Sequence, residues 1–195
     1  MRPHYSLVLA PNSEPITTDQ AMEHVRVDSE DDLAYLESLI SVGREYVESL
    51  TGRVTLASGW LMVADSWASA GGELIPLYRT PLISVESVSY YAKESETLTV
   101  LDPADYRVIA TTEPGMVQIT AAIPDLEDRP DALQIAFTAG HATASAVSPV
   151  LKHAIKVDVS NRYTNRNSDT FGQSYQLDNA FRVLVENQKV GGWIG

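Results

Sequence analysis

One stretch of the chain, residues 21–53, constrains the fold most strongly, because its apolar residues recur with the period of an α-helix. It reads AMEHVRVDSEDDLAYLESLISVGREYVESLTGR. Apolar or small residues at the i, i+3, i+4, i+7 spacing share one helix face, namely Leu33, Leu36, Ile40, Gly43, Val47 and Leu50. Polar residues lie on the opposite face, namely Glu37, Ser41, Arg44 and Glu48. The pattern predicts a long amphipathic helix with one buried and one exposed face.

Capping signals mark both ends of this helix and the start of a shorter helix before it. Asp28 or Ser29 is predicted to cap the long helix, and Gly52 permits a left-handed stop. Three acids follow the cap and favour the positive end of the helix dipole, namely Glu30, Asp31 and Asp32. Thr17 and Gln20 have the spacing of a capping box, which predicts a short helix through about residue 25.

After Gly52 the sequence changes to short segments rich in β-branched and aromatic residues, separated by turn signals. The predicted strands are 54–64, 73–78, 83–91, 98–101, 106–109, 116–120 and 133–138. The 83–91 segment has a local break in its alternation, which indicates a bulge. Glu113, Pro114 and Gly115 suit a type II turn. The connections are too short for helical crossovers, so the sheet is predicted to be antiparallel.

Residues 141–195 return to a helical pattern. Ser148 and Pro149 mark the start of a second long helix, and Asp178 is predicted to cap a last helix after a polar linker. Prolines in the first 15 residues predict an extended arm without a regular element.

These elements predict an α+β fold: a helical core of two N-terminal helices plus one or two C-terminal helices, with an inserted antiparallel β-sheet or small β-barrel. The predicted segments are 1–52 for the arm and first helices, 53–140 for the β insertion, and 141–195 for the C-terminal helices and tail. We expect the helical parts to pack as one core.

The chain is strongly acidic and contains no cysteine. Its 195 residues carry a formal net charge of −12, which argues against a general affinity for nucleic acid. Residues 141–195 are the exception, with six basic and four acidic residues, so an acidic partner surface is expected to meet that end. We expect a soluble, non-secreted protein, because no segment has the length of a signal-peptide core or a membrane span.

The sequence carries no recognisable catalytic motif. The four histidines lack the spacing of a helical metal site, and the nucleophile-elbow, dinucleotide and phosphate-loop signatures do not occur. We therefore expect no catalytic residues, no metal site and no cofactor. A hydrolase site assembled from distant residues stays open as an alternative, since such sites are recognised by geometry.

Basic residues recur along the second long helix and just beyond it, namely Lys152, Lys156, Arg162 and Arg166. Such a group can bind phosphates or an acidic protein surface, or it can be a solvated face that offsets the acidic excess. Trp193 and Ile194 stand on a glycine-rich tail, where an aromatic residue is suited to anchor an interface.

The order of these elements and several phrases resemble the head-tail connector (adaptor) family of long-tailed bacteriophages and related prophage particles. The phrases are HVRVD, REYVESLTGR, IPLYRTPLISVESVSYY, DPADYRV, PGMVQI and AFTAGHATASAVSPVLKHAI. The resemblance runs from about Ile16 to Ile155.

The resemblance implies a structural virion protein that is not an enzyme. In that family the protein forms a homo-oligomeric ring, commonly of twelve subunits, below the portal protein. The ring extends the channel for double-stranded DNA and presents a surface to the next neck, head-completion or tail protein. The expected location is the virion neck, after assembly in the host cytoplasm and without contact to a membrane.

From this resemblance and the charge pattern we expect two groups of interface residues. The portal-interaction candidates are Lys152, Lys156, Arg162, Arg166, Trp193 and Ile194. The candidates for subunit contact or channel lining are Asp28, Glu30, Asp31, Asp32, Glu37, Arg44 and Glu48. The alternative within the same structural class is another ring of the neck or tail, such as a stopper or a tail terminator.

Overall fold

The computed structural model describes residues 3–28, 30–71, 73–122, 124–165 and 179–191. In chain order the elements are β1 (His4–Leu9), α1 (Thr18–Val25), α2 (Leu33–Thr51), β2 (Ser58–Ala64), α3 (Trp67–Ala70), β3 (Leu74–Leu77), β4 (Leu82–Tyr91), β5 (Leu98–Val100), β6 (Tyr106–Ile109), β7 (Gly115–Ile119), β8 (Leu133–Ala139), α4 (Pro149–Thr164) and α5 (Asn179–Glu186). The chain divides into a sheet unit, residues 1–12 with 57–140, and a helical unit, residues 13–56 with 141–195. The predicted α+β fold is confirmed.

The helical unit buries the predicted apolar face of α2. Leu36, Ile40 and Val47 pack in one cluster with Leu151 and Ile155 of α4. Phe181 of α5 joins the same cluster, and its ring stacks on that of Tyr46 with 5.9 Å between centroids. α2 and α4 are therefore the central helices of this unit, since each contacts the other and both α1 and α5.

The helix ends agree with the capping signals except at the start of α2. Thr17 and Gln20 form the capping box of α1, and Gly52 ends α2 with a φ of 73°. The N-cap of α2 is Asp32, preceded by a 3-10 turn, so the prediction of Asp28 or Ser29 is wrong. The Asp32 side chain makes no capping hydrogen bond. Its carboxylate instead accepts a hydrogen bond from the Tyr163 hydroxyl at 2.5 Å, which links the start of α2 to the end of α4.

The sheet unit contains a five-stranded antiparallel sheet in the order β1-β2-β8-β4-β5 and a three-stranded antiparallel sheet in the order β3-β7-β6. Along β2 and β8 buried residues alternate with half-buried ones, as expected where every second side chain enters a core. Trp60 pairs with Phe137, and Met62 pairs with Ile135. The irregularity predicted in the 83–91 segment is confirmed, since the register of β4 against β8 shifts twice.

Two local predictions for this unit are wrong. Residues 4–9 are a strand, because β1 pairs with β2, although we expected an arm without a regular element. Gly115 does not adopt the positive φ of a type II turn but begins β7. Glycine is required there for space, since a Cβ on Gly115 would lie 2.5 Å from the Cβ of Leu82. In the described part of the chain, no helix is both long and apolar enough to cross a membrane.

We predict that Gly115→Ala destabilises the fold by about 1 to 3 kcal/mol, because the new methyl group overlaps the buried Leu82 side chain. Urea unfolding monitored by circular dichroism measures the change. Gly191→Ala is the matched control, since nothing lies within 4 Å of the added Cβ. Equal free energies of unfolding for the two variants would show that β4 and β7 can shift at this contact without a loss of stability.

Candidate functional site

The acidic residues before and within the start of α2 are distributed over exposed and half-buried positions. Asp28 and Asp31 are exposed, as is Glu37 one turn into the helix. Asp32 is half-buried and bonded to Tyr163. Glu30 belongs to the 3-10 turn, and its side chain lies outside the described part of the structure, as does Ser29. The carboxylates of Asp28, Asp31 and Glu37 thus lie at the surface of the chain.

Arg44 is buried within the helical unit. Only 6% of its surface is exposed, and its Nε donates a hydrogen bond to Glu14 at 2.8 Å. Its other nitrogens approach Glu48 at 3.4 Å and Glu45 at 3.5 Å. Burial alone would lower the pKa of Arg44, but the hydrogen bond that it donates to Glu14 and the surrounding carboxylates raise it overall. The guanidinium is therefore a charged group compensated inside the chain.

Glu48 connects this cluster to the segment that leaves α2. One carboxylate oxygen, Oε1, accepts hydrogen bonds from the backbone N–H of Thr55 at 2.8 Å and from its hydroxyl at 2.6 Å. The other oxygen, Oε2, faces Arg44. We predicted that Arg44 and Glu48 lie on an exposed polar face, and this is wrong because Glu14 and Thr55 provide partners that cover them. Helical periodicity shows the direction of a side chain but not what packs over it.

A second internal ion pair lies where α2 meets α4. A Cβ on Gly43 would lie 3.2 Å from Oδ2 of Asp158 and 3.5 Å from Ile155, so the glycine permits the helices to approach closely. Asp158 is 1% exposed, and Oδ2 accepts a hydrogen bond from Nε of Arg162 at 2.6 Å. The Arg162 guanidinium also lies over the Tyr46 ring, 5.4 Å from its centroid. Arg162 is thus bound to its own chain, unlike the solvated base that the sequence suggested.

Three residues of α4 and one of α1 form a surface that we call the basic surface: Lys152, His153, Lys156 and His24. Both histidines are exposed, and both lysines are half-exposed. The rings of His24 on α1 and His153 on α4 meet edge to face, with centroids 5.9 Å apart. Partial burial, His153 and Lys156 together lower the pKa of His24. The two histidines come from distant segments, so helical spacing could not have revealed the pair.

Three portal candidates, Arg166, Trp193 and Ile194, lie outside the described residues. Within the described part of the chain, no group of three or more His, Asp or Glu side chains is placed to hold a metal ion. The described candidates therefore divide into internal contacts at Asp32, Arg44, Glu48 and Arg162 and exposed or half-exposed positions, namely Asp28, Asp31, Glu37, Lys152 and Lys156.

No protein-family model matches this chain, and no curated protein matches it in sequence. Three solved structures share its fold. A chain in the structure "Neck of empty GTA particle computed with C6 symmetry" superposes with a TM-score of 0.77, at 18% identity, over 98% of both chains. A chain in "Virion of native gene transfer agent (GTA) particle" gives 0.75, at 17% identity, over 98% of this chain and 97% of that one. A chain in "Neck of native GTA particle computed with C12 symmetry" gives 0.70, at 16% identity, over 98% of both.

At this level of identity the similarity establishes the fold. It extends over both units, because the superpositions cover nearly the whole of each chain. The α+β fold expected from the sequence resemblance is therefore confirmed for the part of the chain that the structure describes.

We predict that Arg44→Met lowers the free energy of unfolding by about 3 to 5 kcal/mol, because it leaves Glu48 buried without its cationic partner. Urea unfolding measures the change. Glu45→Gln is the control, since the Glu45 side chain is 66% exposed and 3.5 Å away, and we expect a change within about 0.5 kcal/mol. A stable Arg44→Met protein that fails to form oligomers would instead identify Arg44 as a contact between copies.

Proposed function

We propose that this chain is a structural, non-enzymatic protein of the neck of a long-tailed phage-like particle, where it forms the head-tail connector, or adaptor, ring. The observation that carries this proposal is the shared fold with chains in gene transfer agent necks and virions, over at least 97% of each chain. A match of this extent includes both units, which favours the same kind of assembly rather than reuse of one domain.

The proposed assembly is a homo-oligomeric ring of twelve subunits in the virion neck, formed in the host cytoplasm. The similar chains come from neck structures computed with C6 and C12 symmetry, which supports a cyclic arrangement. A ring requires each copy to present two unlike surfaces, one to each neighbour. The exposed acids Asp28, Asp31 and Glu37 are candidates for one such surface or for the channel wall.

We place the portal contact on the basic surface and the C-terminal tail. Lys152 and Lys156 remain accessible, whereas Arg162 is bonded to Asp158 and is no longer a leading candidate. We retain three further portal-interaction candidates because of their positions in the sequence, namely Arg166, Trp193 and Ile194. A lysine pair flanked by His24 and His153 suits an acidic protein surface, because complementary charges align partners and accelerate their encounter.

The acidic excess supports passage of DNA rather than binding. The sheet unit carries twelve acidic and five basic residues, and the helical unit carries fourteen and nine. Sequence-independent binding to duplex DNA depends on Lys and Arg that neutralise phosphates. A ring lined by carboxylates would repel the duplex and let it slide during packaging and ejection.

We predict that Lys152→Glu/Lys156→Glu abolishes attachment to portal-bearing heads without unfolding the protein, because it reverses the charge of the basic surface. Cosedimentation with heads that lack all other neck proteins measures attachment. Deletion of residues 191–195 is expected to weaken it as well. Lys93→Glu/Arg107→Glu is the matched control, with the same charge change at two exposed positions of the sheet unit.

Unchanged attachment of the lysine variant would refute the portal contact. If the unsubstituted protein binds only heads that already carry another neck ring, or binds tails instead, it is a stopper or a tail terminator rather than the adaptor.

We also predict that the purified protein does not bind duplex DNA measurably near physiological salt. Fluorescence anisotropy of a labelled duplex, titrated at several salt concentrations, tests this. Salt-sensitive binding at micromolar protein would contradict a repulsive channel wall, since such binding requires cations at the phosphates.

A further inference from the structure

The outer edge of β1 is an apolar edge of the five-stranded sheet. β1 pairs with β2 on one side only and ends the strand order. Its last three residues are exposed although all are apolar, with Leu7 at 41%, Val8 at 61% and Leu9 at 67%. Edge strands normally carry charges or prolines that prevent pairing with another chain. β1 contains no proline, lysine, arginine or acid, and the one irregularity in its pairing with β2 is the register shift between Leu7 and Leu9.

The opposite edge of the same sheet has similar chemistry. β5 pairs with β4 and ends the strand order on that side. All three of its residues are exposed, including Leu98 at 39% and Val100 at 62%. Among the described residues, each edge therefore ends the sheet and carries exposed apolar side chains, and the two edges lie at different ends of one sheet.

The charges around the two edges are complementary. Residues 1–12 contain no acidic side chain and include Arg2 and His4. Residues 93–105, which include β5, contain four acids and one lysine. Two copies of the β5 edge would bring acidic side chains together. A β1 edge facing a β5 edge would instead place the acid-free segment, with Arg2 in its sequence, beside the acidic one, which favours a head-to-tail contact.

We propose that β1 of one copy of this chain docks against β5 of the next copy, so that the five-stranded sheets of neighbouring subunits join around the ring. This contact is heterologous, as a closed ring requires, because it uses two unlike surfaces of the same chain. Strand addition supplies main-chain hydrogen bonds, and the exposed leucine and valine side chains become buried. The proposal rests on the ring in the proposed function and names one interface within it.

The absence of cysteine from the natural sequence makes this contact directly testable. Val8→Cys and Val100→Cys are prepared as two separate proteins, mixed, and treated with a short bis-maleimide. Residues facing one another on adjoining strands, directly or diagonally, lie within roughly 8 Å, so the reagent covers registers two residues apart. The expected product is a dimer that contains one copy of each variant, identified by mass spectrometry.

A single chain carrying both substitutions should give a ladder of linked oligomers. Linkage within one chain is prevented because the two edges are four strand spacings apart, roughly 19 Å. The matched control mixes Val8→Cys with Val108→Cys, an exposed valine on β6 at an edge of the other sheet, and should give no product. Glu94→Lys/Glu96→Lys should lower the yield severalfold, since it removes the charge complementarity.

The experiment is performed on concentrated purified protein and on particles assembled with the variants. If necks contain the protein but no mixed dimer forms in them, the proposed interface is refuted and the assignment to the neck stands. A dominant Val8–Val8 product would replace it with a two-fold contact between β1 strands, and equal product from the control pair would show unspecific linkage. If the protein does not enter necks, the proposed function is refuted. Cross-linking of the purified protein then tests by itself whether the strand contact exists.

Discussion

The packing of α2 against α4 holds the helical unit together, because the two helices come from parts of the chain separated by residues 57–140 of the sheet unit. Gly43 allows Asp158 and Ile155 of α4 to approach closely, and the buried apolar side chains of both helices form one cluster. The chain leaves and re-enters this unit at one place, where Leu56 and His141 form a bridge and the His141 N–H donates to the Thr55 carbonyl at 3.2 Å. A long inserted segment costs little additional loop-closure entropy once its ends are fixed in this way.

The charged side chain of Glu48 stabilises the place where the chain leaves the helical unit. Its carboxylate fixes Thr55 just after the helix, and Arg44 and Glu14 compensate the buried charges. A buried ion pair contributes little net stability compared with apolar residues of similar size, but removal of one partner is costly. The cluster therefore favours one exit path for the chain over others.

Much of the fold could be predicted from the sequence, and the features that were not predicted share a cause. The period of the apolar residues identified the buried face of α2, and the turn residues separated the strands, because both signals are local. The burial of Arg44 and Glu48 and the meeting of His24 with His153 depend on tertiary contacts. β1 was missed for the same reason, since a proline-flanked segment becomes a strand only when β2 provides the hydrogen-bond partner. Arg162 and Asp158, like Arg44 and Glu48, do have the i, i+4 spacing of a helical ion pair, which was the sequence signal for these two contacts.

The net charge of −12 limits the ways in which copies of this chain can associate. Like-charged subunits repel one another over distances up to the Debye length, about 8 Å at physiological salt. Contacts between copies must therefore be short-ranged, largely apolar or locally complementary in charge. Most acids lie on the long middle of the sequence and at the start of α2, whereas the first twelve residues carry none. Under the proposed function, the repulsion that suits a channel for DNA thus also favours the few acid-poor surfaces, β1 and the basic surface, as the places where partners dock.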